Sequence, residues 1–302
     1  MPKVSVLMNC FNGAQFLKEA IDSVYAQTYL DWEIVFIDNC SIDNSLDIVN
    51  SYNSKIKVIQ TKENIPLGAA RNFGIKQCSG EYIAFLDVDD IWLPNAIEVL
   101  LTMIESDNYA LAYARHLNID MDNNIIGKMA PVKKKGMIFG MLLEQFDIPI
   151  VASMVSKKHL LESSLVFDDN IHASEEYCLF MQLAARYPFI ASNEFVTKYR
   201  IHNNALTGKT VSKWATERRY TLNKILQDKP ELEEKYLKEF QFAHARADYY
   251  QVQALVSVKK KAEARKVLRG IIFVNWRYGV LYLALLFPMK VWFFIQEMKY
   301  KR

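Results

Sequence analysis

Three aspartates close one apolar run of this 302-residue chain: Gly80 to Pro94 reads GEYIAFLDVDDIWLP, with Asp87, Asp89 and Asp90 directly after a strand-like stretch. Carboxylates at a strand end can hold a hard divalent cation through oxygen, and such a cation can bridge the oxygens of a diphosphate. Asp89 is the foremost ligand candidate, with Asp87 beside it. The alternative makes Asp90 the N-cap of a helix near Pro94 and leaves the other two solvated. A second acidic pair, Glu175 and Glu176, stands at the head of a helical pattern in HASEEYCLFMQLA, His172 to Ala184. A carboxylate there can take the proton of an acceptor hydroxyl, although Ser174 as N-cap with two acids behind it is also what helix energetics alone favours. Arg71 falls early in another expected helix, where a cation opposes the dipole, so a bound phosphate explains it better than a surface salt bridge does. In KYRIHNN, Lys198 to Asn204, strand alternation turns Arg200 and His202 to one face.

These groups need a frame, and apolar periodicity supplies one. Residues 3 to 8 read as a buried strand, and Leu17, Ala20, Ile21 and Val24 follow at helical spacing. Strands at Trp32 to Ile37, Lys57 to Gln60 and Tyr82 to Leu86 alternate with helices from about Asp43 to Ser51 and Leu67 to Gln77. Such alternation implies an α/β fold, a mostly parallel, Rossmann-like sheet with helices on both faces and ligand groups at the strands' carboxyl ends. Polar residues cluster there: Asn9 to Asn12, Asp38 to Asp43, Asp87 to Asp90. From Tyr109 to about Phe139 the pattern loosens around a turn at Asp120 to Asn124. A helix over Ser174 to Arg186 and a strand near Val196 to His202 follow. Beyond Thr210 the chain turns into long helical segments, with a paired-helix hairpin over Ala243 to Leu268. The expected boundary falls near residue 208, between the α/β region at 1–208 and a helical region at 209–302.

Four motifs in order resemble glycosyltransferase family 2, whose catalytic domains have the GT-A fold. Asn9, Cys10, Phe11 and Asn12 match a Pro-Thr-Tyr-Asn-like turn, and DNCSID (Asp38 to Asp43) matches a DDGSTD-type turn. Ala70, Arg71 and Asn72 match an Ala-Arg-Asn helix start, and Asp87, Val88 and Asp89 an Asp-x-Asp element. Asn9, Cys10 and Asn39 depart from the family pattern and alter the expected donor contacts. The resemblance covers residues 3 to about 207 and implies an inverting transferase that uses Mn²⁺ or Mg²⁺ and a nucleotide-diphosphate sugar. It implies that the region at 1–208 is catalytic, with a nucleotide-binding half to about 107 and an acceptor half from 108. It puts Asn9, Phe11, Asn12, Asp38, Arg71, Asp87, Val88 and Arg200 at the donor. Asp38 would accept from a pyrimidine imide; an ionised carboxylate only accepts, which suits uracil or thymine and hence a UDP- or dTDP-sugar. The rival use of Asp38, capping the next helix, falls to Ser41 and Asp43. Asp89, Asp87 and His202 would hold the ion, a neutral imidazole suiting Mn²⁺, unless His202 is structural. Glu176 occupies the position of the base, where the family usually has Asp, with Glu175 beside it.

Composition narrows the rest. NCFNGAQF has a single glycine, which excludes the GxGxxG turn of a dehydrogenase, and no GxxxxGK stands for a P-loop. Four cysteines without a CxxC pair fit a reducing compartment. The net charge of +3 conceals a split: residues 259–302 carry eleven Lys/Arg against Glu263 and Glu297, and the remainder is net acidic. Interleaved with Ile271, Ile272, Phe273, Trp276, Tyr278, Leu281, Leu285 and Phe287, those cations imply an anionic membrane surface rather than nucleic acid. The longest uncharged stretch there, Tyr278 to Met289, falls short of the roughly 20 residues of a spanning helix. The expectation is therefore a cytoplasmic enzyme, peripheral on the inner face of the plasma membrane, that glycosylates a saccharide or lipid-linked acceptor for a surface polysaccharide. Packing of the same apolar residues onto the protein is the alternative for the tail, and a catalytically silent scaffold subunit the alternative for the whole.

Overall fold

The computed structural model describes the chain except residues 53, 130–133, 203–205, 289 and 293–302, and for 206–211 the backbone alone. Asn203 and Asn204 of KYRIHNN and residues 293–302 of the expected membrane tail thus lie outside the described residues. The chain divides into two compact units, residues 1–142 with 146–205, and 143–145 with 206–302.

The first unit opens with β1 (Val4–Cys10), α1 (Ala14–Tyr25), β2 (Trp32–Asp38), α2 (Ser45–Asn50), β3 (Ile56–Gln60), α3 (Leu67–Ile75) and β4 (Tyr82–Phe85). It continues with β5 (Ile91–Trp92), α4 (Ala96–Glu105), β6 (Leu111–Ile119), β7 (Ile125–Met129), β8 (Lys135–Gly136), α5 (Phe139–Glu144), a 3₁₀ turn at Ile150–Ala152, β9 (Ser153–Ser156), α6 (Lys157–Ser163), α7 (Glu175–Ala184) and β10 (Phe189–Arg200). One sheet runs β3-β2-β1-β4-β9-β6-β10-β5. Its first four strands pair in parallel. β9 runs antiparallel to both β4 and β6, and β10 runs parallel to β6. Two reversals restore the direction, so β1, β2, β4, β6 and β10 all bring their carboxyl ends to one edge. β1 serves two faces by its period of two. Val4, Val6 and Met8 share a buried cluster with Leu17, Ala20, Ile21 and Val24 of α1, whereas Leu7 meets α3 so closely that a Cβ on Gly74 would lie 2.3 Å from its Cδ1.

Two segments differ from the sequence expectation. The loose stretch after Tyr109 contains the nine-residue interior strand β6, whose first four residues, Leu111 to Ala114, are all buried. A strand covered on both faces shows no polar alternation to read. β10 begins at Phe189, well before Val196, because register shifts between Ala191 and Thr197 break its period. The turn at Asp120 to Asn124 joins β6 to the edge strand β7 as expected, with the Asp120 carboxylate accepting the backbone N–H groups of Asp122 and Asn124 at 2.9 Å each.

The second unit contains α8 (Leu206–Asp228), α9 (Glu231–Lys235), α10 (Leu237–Ser257), α11 (Lys261–Ile271) and α12 (Trp276–Ala284). α10 and α11 form the expected hairpin around Lys259, which takes a left-handed φ of 62°. Tyr249, Val252, Val256, Leu268, Ile271, Leu281 and Leu285 share its apolar core. Among the described residues no helix is long and apolar enough to cross a membrane.

Gly80 sets the close approach of β4 to β1. Its N–H donates to Ser5 Oγ at 2.9 Å, and an added Cβ would lie 2.6 Å from the Ser5 backbone nitrogen. Backbone atoms cannot swing aside as a side chain can. Gly80→Ala is therefore expected to destabilise the protein by about 1–3 kcal/mol, read as a lower urea midpoint; an unchanged midpoint would remove this packing constraint.

Candidate active site

The first two loops at the carboxyl edge are stitched together. Asn12, at φ 55°, accepts the Ile42 N–H through Oδ1 at 2.9 Å and donates its own N–H to Ser41 Oγ at 3.0 Å. Gly13 and Ala14, at the start of α1, donate to Ser45 Oγ (3.1 Å) and Asp43 Oδ2 (2.9 Å). Those N–H groups are orphans of the helix, and the next loop satisfies them. Burial alone would raise the Asp43 carboxyl, but the bonds from Ser45 and Ala14 prevail and hold it below the ordinary carboxylate range. Asn39 donates Nδ2–H to the Ile65 carbonyl (2.7 Å) and accepts from the Ile65 N–H (3.0 Å) and the Thr61 hydroxyl (3.1 Å). The amide both gives and takes, whereas an ionised aspartate here only accepts and would lose the bond to the Ile65 carbonyl. The departure from the family pattern at Asn39 thus serves the loop that leads into α3.

Asp38 is fully buried. Its Oδ2 accepts from the Ser41 N–H at 3.3 Å and Gln60 Nε2 at 3.4 Å, while Oδ1 has no hydrogen-bond partner, nor has the buried Oδ1 of Asn9. Phe11 is exposed at the end of β1. Val88 lies beneath the first loop, where a Cβ on Gly13 would meet its Cγ2 at 2.7 Å.

The three aspartates after β4 go to three different partners. Asp87 Oδ1 accepts from Nη2 of Arg71 at 3.2 Å. Arg71 is buried on α3, close to the Phe167 ring, so the pair is not a surface salt bridge. Partial burial, followed by the Asp89 charge, raises the Asp87 carboxyl even though Arg71 pulls it down. Asp89 Oδ2 lies 2.9 Å from His202 Nε2. Asp90 is buried and accepts the Arg200 backbone N–H at 2.7 Å. Burial and its two acidic neighbours push Asp90 well above the usual carboxylate range. The N-cap alternative for Asp90 does not hold, because Ile91 and Trp92 form a strand paired with β10 and α4 begins only at Ala96.

Arg200, expected at the donor, spends its side chain within the protein. Its side chain is 0% exposed, and four of its five N–H donors bond within the protein: Nε to the Asp89 carbonyl (2.9 Å), Nη1 to the carbonyls of Asp120 (3.2 Å) and Met121 (3.3 Å), and Nη2 to Glu19 Oε2 (2.8 Å). The guanidinium stacks 4.3 Å from the Phe16 ring centroid. Phe16 and Glu19 stand three residues apart on α1 and carry no motif. Sequence reading missed them, and spacing offers no signal for a contact with |i−j| of 181.

Glu175 and Glu176 open α7. Every residue of that helix is buried except Glu176. Glu175 turns inward, its Cγ 3.6 Å from where a Cβ on Gly68 would stand. Among the described residues no group of three His, Cys, Asp or Glu side chains is arranged to hold a metal ion. What does converge is the pair Asp89 and His202, while Asp87 is held by Arg71. One carboxylate and one imidazole suit Mn²⁺, and two protein ligands suit an ion that takes others from a substrate diphosphate. On donor chemistry the pair fits.

The family model described as glycosyl transferase family 2 matches residues 5–161. WfgD of Escherichia coli, a UDP-Glc:alpha-D-GlcNAc-diphosphoundecaprenol beta-1,3-glucosyltransferase, is 30% identical over 207 residues, covering 68% of this chain and 79% of its own. Against three longer rickettsial relatives, the chain spans only 31% to 35% of their length. S. aureus TarS 1–349 in complex with UDP-GlcNAc superposes with a TM-score of 0.71 at 18% identity, over 96% of this chain and 88% of that one. The mannosyltransferase PcManGT of Pyrobaculum calidifontis, in complex with GDP-Man and Mn²⁺, gives 0.61 at 14%, over 94% and 84%. At such identities these two likenesses speak for the fold. Together with the family model, they identify this chain as a member of glycosyl transferase family 2 with the GT-A fold.

Proposed function

We propose that this chain transfers a sugar, with inversion, from a UDP- or dTDP-sugar to a hydroxyl of a saccharide or lipid-linked acceptor. The observation that carries the reading is the convergence of Asp89 and His202 at the carboxyl edge, with Arg71 buried at the same loop. When bound, a divalent cation, Mn²⁺ or Mg²⁺, neutralises the charge that develops on the leaving diphosphate. Asp89 and His202 hold it, and Arg71 offers its remaining guanidinium donors to phosphate oxygens. Glu176 accepts the acceptor hydroxyl proton as that oxygen bonds to the anomeric carbon and the bond to diphosphate breaks on the opposite face. Glu175, turned inward, steadies the start of α7. The acceptor of WfgD, a GlcNAc-diphosphoundecaprenol, supports a lipid-linked acceptor here as well.

The second unit supports a place on the cytoplasmic face of the plasma membrane. The tail's apolar residues divide: Leu281, Ala284 and Leu285 pack inward, while Trp276, Val280, Leu283 and Phe287 are exposed at i, i+4, i+7 and i+11. That spacing makes one stripe along α12 and its continuation. Phe273 stands 95% exposed just before it, with exposed Arg277 and Lys290 alongside. A stripe with an aromatic at its head and cations at its margin fits the headgroup boundary of an anionic bilayer.

Asp89→Asn, or excess chelator, is expected to lower nucleoside diphosphate release by at least about 100-fold, and full turnover in either would sink the Asp89–His202 assignment. Glu176→Gln is expected to retain donor binding and lose about 10²- to 10⁴-fold in transfer. Glu175→Gln should lose less, and the reverse ranking would make Glu175 the base. For the stripe, the double variant Phe273→Ser with Trp276→Ser leaves the packed face intact. It should keep the parent melting temperature and bind anionic vesicles at least about tenfold more weakly. Undiminished co-sedimentation would move the membrane contact elsewhere.

A further inference from the structure

Arg200 is a charged group that the transfer chemistry leaves unused, and its surroundings say what it does. Its backbone N–H is taken by Asp90 at 2.7 Å. The next residue, Ile201, donates its N–H to the Ile119 carbonyl at 2.8 Å, and His202 then meets Asp89 at 2.9 Å. The Arg200 side chain closes the same circle from behind, through Nε to the Asp89 carbonyl at 2.9 Å. Both members of the candidate ion-binding pair are thereby tied to one residue, His202 through the chain and Asp89 through its carbonyl. The guanidinium is in turn fixed by α1: Glu19 Oε2 accepts from Nη2 at 2.8 Å, and Phe16 lies under it at 4.3 Å while also approaching the His202 ring, centroid to centroid at 5.8 Å. Its other amino group holds the carbonyls of Asp120 and Met121 in the β6–β7 turn.

We propose that Arg200, braced by Glu19 and Phe16 of α1, is a positioning residue that fixes the Asp89–His202 pair and couples it to the β6–β7 turn. This rests on the reading of Asp89 and His202 as the ion-binding pair. With four of five donors committed, Arg200 has little left to offer a diphosphate, so its influence on the donor passes through the ion. A planar guanidinium can bond four carbonyl and carboxylate oxygens in fixed directions, whereas an ammonium has three donors and no plane. Lysine at this position keeps the charge and loses the bracket.

The test compares parent, Arg200→Lys and Glu19→Gln. Mn²⁺ affinity is measured by electron paramagnetic resonance with saturating UDP, UDP affinity by calorimetry in chelator, and amide exchange at Asp122 to Asn124 by mass spectrometry. Arg200→Lys should weaken Mn²⁺ binding tenfold or more, leave metal-free UDP binding within twofold, and speed exchange in the β6–β7 turn. Glu19 is half exposed, so Glu19→Gln keeps the fold even where Arg200→Lys does not, and a loss of about threefold in Mn²⁺ affinity in the same direction is expected of it. Parent-like Mn²⁺ affinity in the folded variants, with the parent itself binding Mn²⁺ and UDP, overturns the positioning role alone. A parent that binds UDP but no Mn²⁺ overturns the ion-binding reading and this inference with it. Equal losses of metal-dependent and metal-free UDP binding reduce Arg200 to a general structural role and also count against it.

Discussion

Three carboxylates within four residues cannot share one loop unless something offsets them. At an effective dielectric of 20, two unit charges 4 Å apart repel by about 4 kcal/mol, comparable to a large part of a domain's net stability. The first unit answers by giving each acid its own counterpart from a different element. Asp87 goes to Arg71 of α3, Asp89 to His202 just past β10, and Asp90 to the Arg200 backbone N–H. The fold follows from that demand. α3 must approach β1 closely enough to bury Arg71, which it does over Gly74, and β10 must run to residue 200 beside β6 so that its end reaches the aspartate loop.

The same edge shows why three of the motif positions serve the backbone. Asn12 and Asp43 spend their hydrogen bonds between the first and second loops, and Asn39 spends its amide on the loop before α3. Loops that carry ligand-binding groups need such ties, since their backbone lacks sheet or helix partners. Rigidity at the edge is thus supplied by side chains whose hydrogen bonds are spent on the loops themselves.

The alternation of strands and helices up to Leu86 was legible because short apolar runs such as β1 each end in a polar cluster and alternate with helices such as α1, whose buried residues recur at helical spacing. The strand β6 was not, since Leu111 to Ala114 are buried on both faces, and β10 was legible only past its register shifts. At the candidate site, the sequence placed Asp89 and His202 in separate motifs, and the fold brings them to 2.9 Å of each other; Glu176 it placed at the head of a helix, where it is the one residue not buried. Local order was silent on Asp90, whose partner is 110 residues away, and on Glu19, whose partner is 181 away. The partners of Arg200 were hidden for the same reason. A sequence shows that an arginine shares a face with His202, but not that carbonyls from two other loops already occupy its donors.

The second unit poses a different physical question, because α12 is apolar on opposite sides. Leu281, Ala284 and Leu285 complete the core with α10 and α11, which accounts for one side by ordinary burial. Trp276, Val280, Leu283 and Phe287 on the other side gain nothing from that core. A helix in water places polar residues where it is not packed, and this one does not. Among the described residues no helix is long and apolar enough to cross a membrane. The proposed shallow seat in the headgroup region would bury that single stripe and let the flanking cations remain hydrated beside anionic lipid. On that proposal packing and docking, the two alternatives for the tail, become the work of two faces of one helix, of which the packed face is observed.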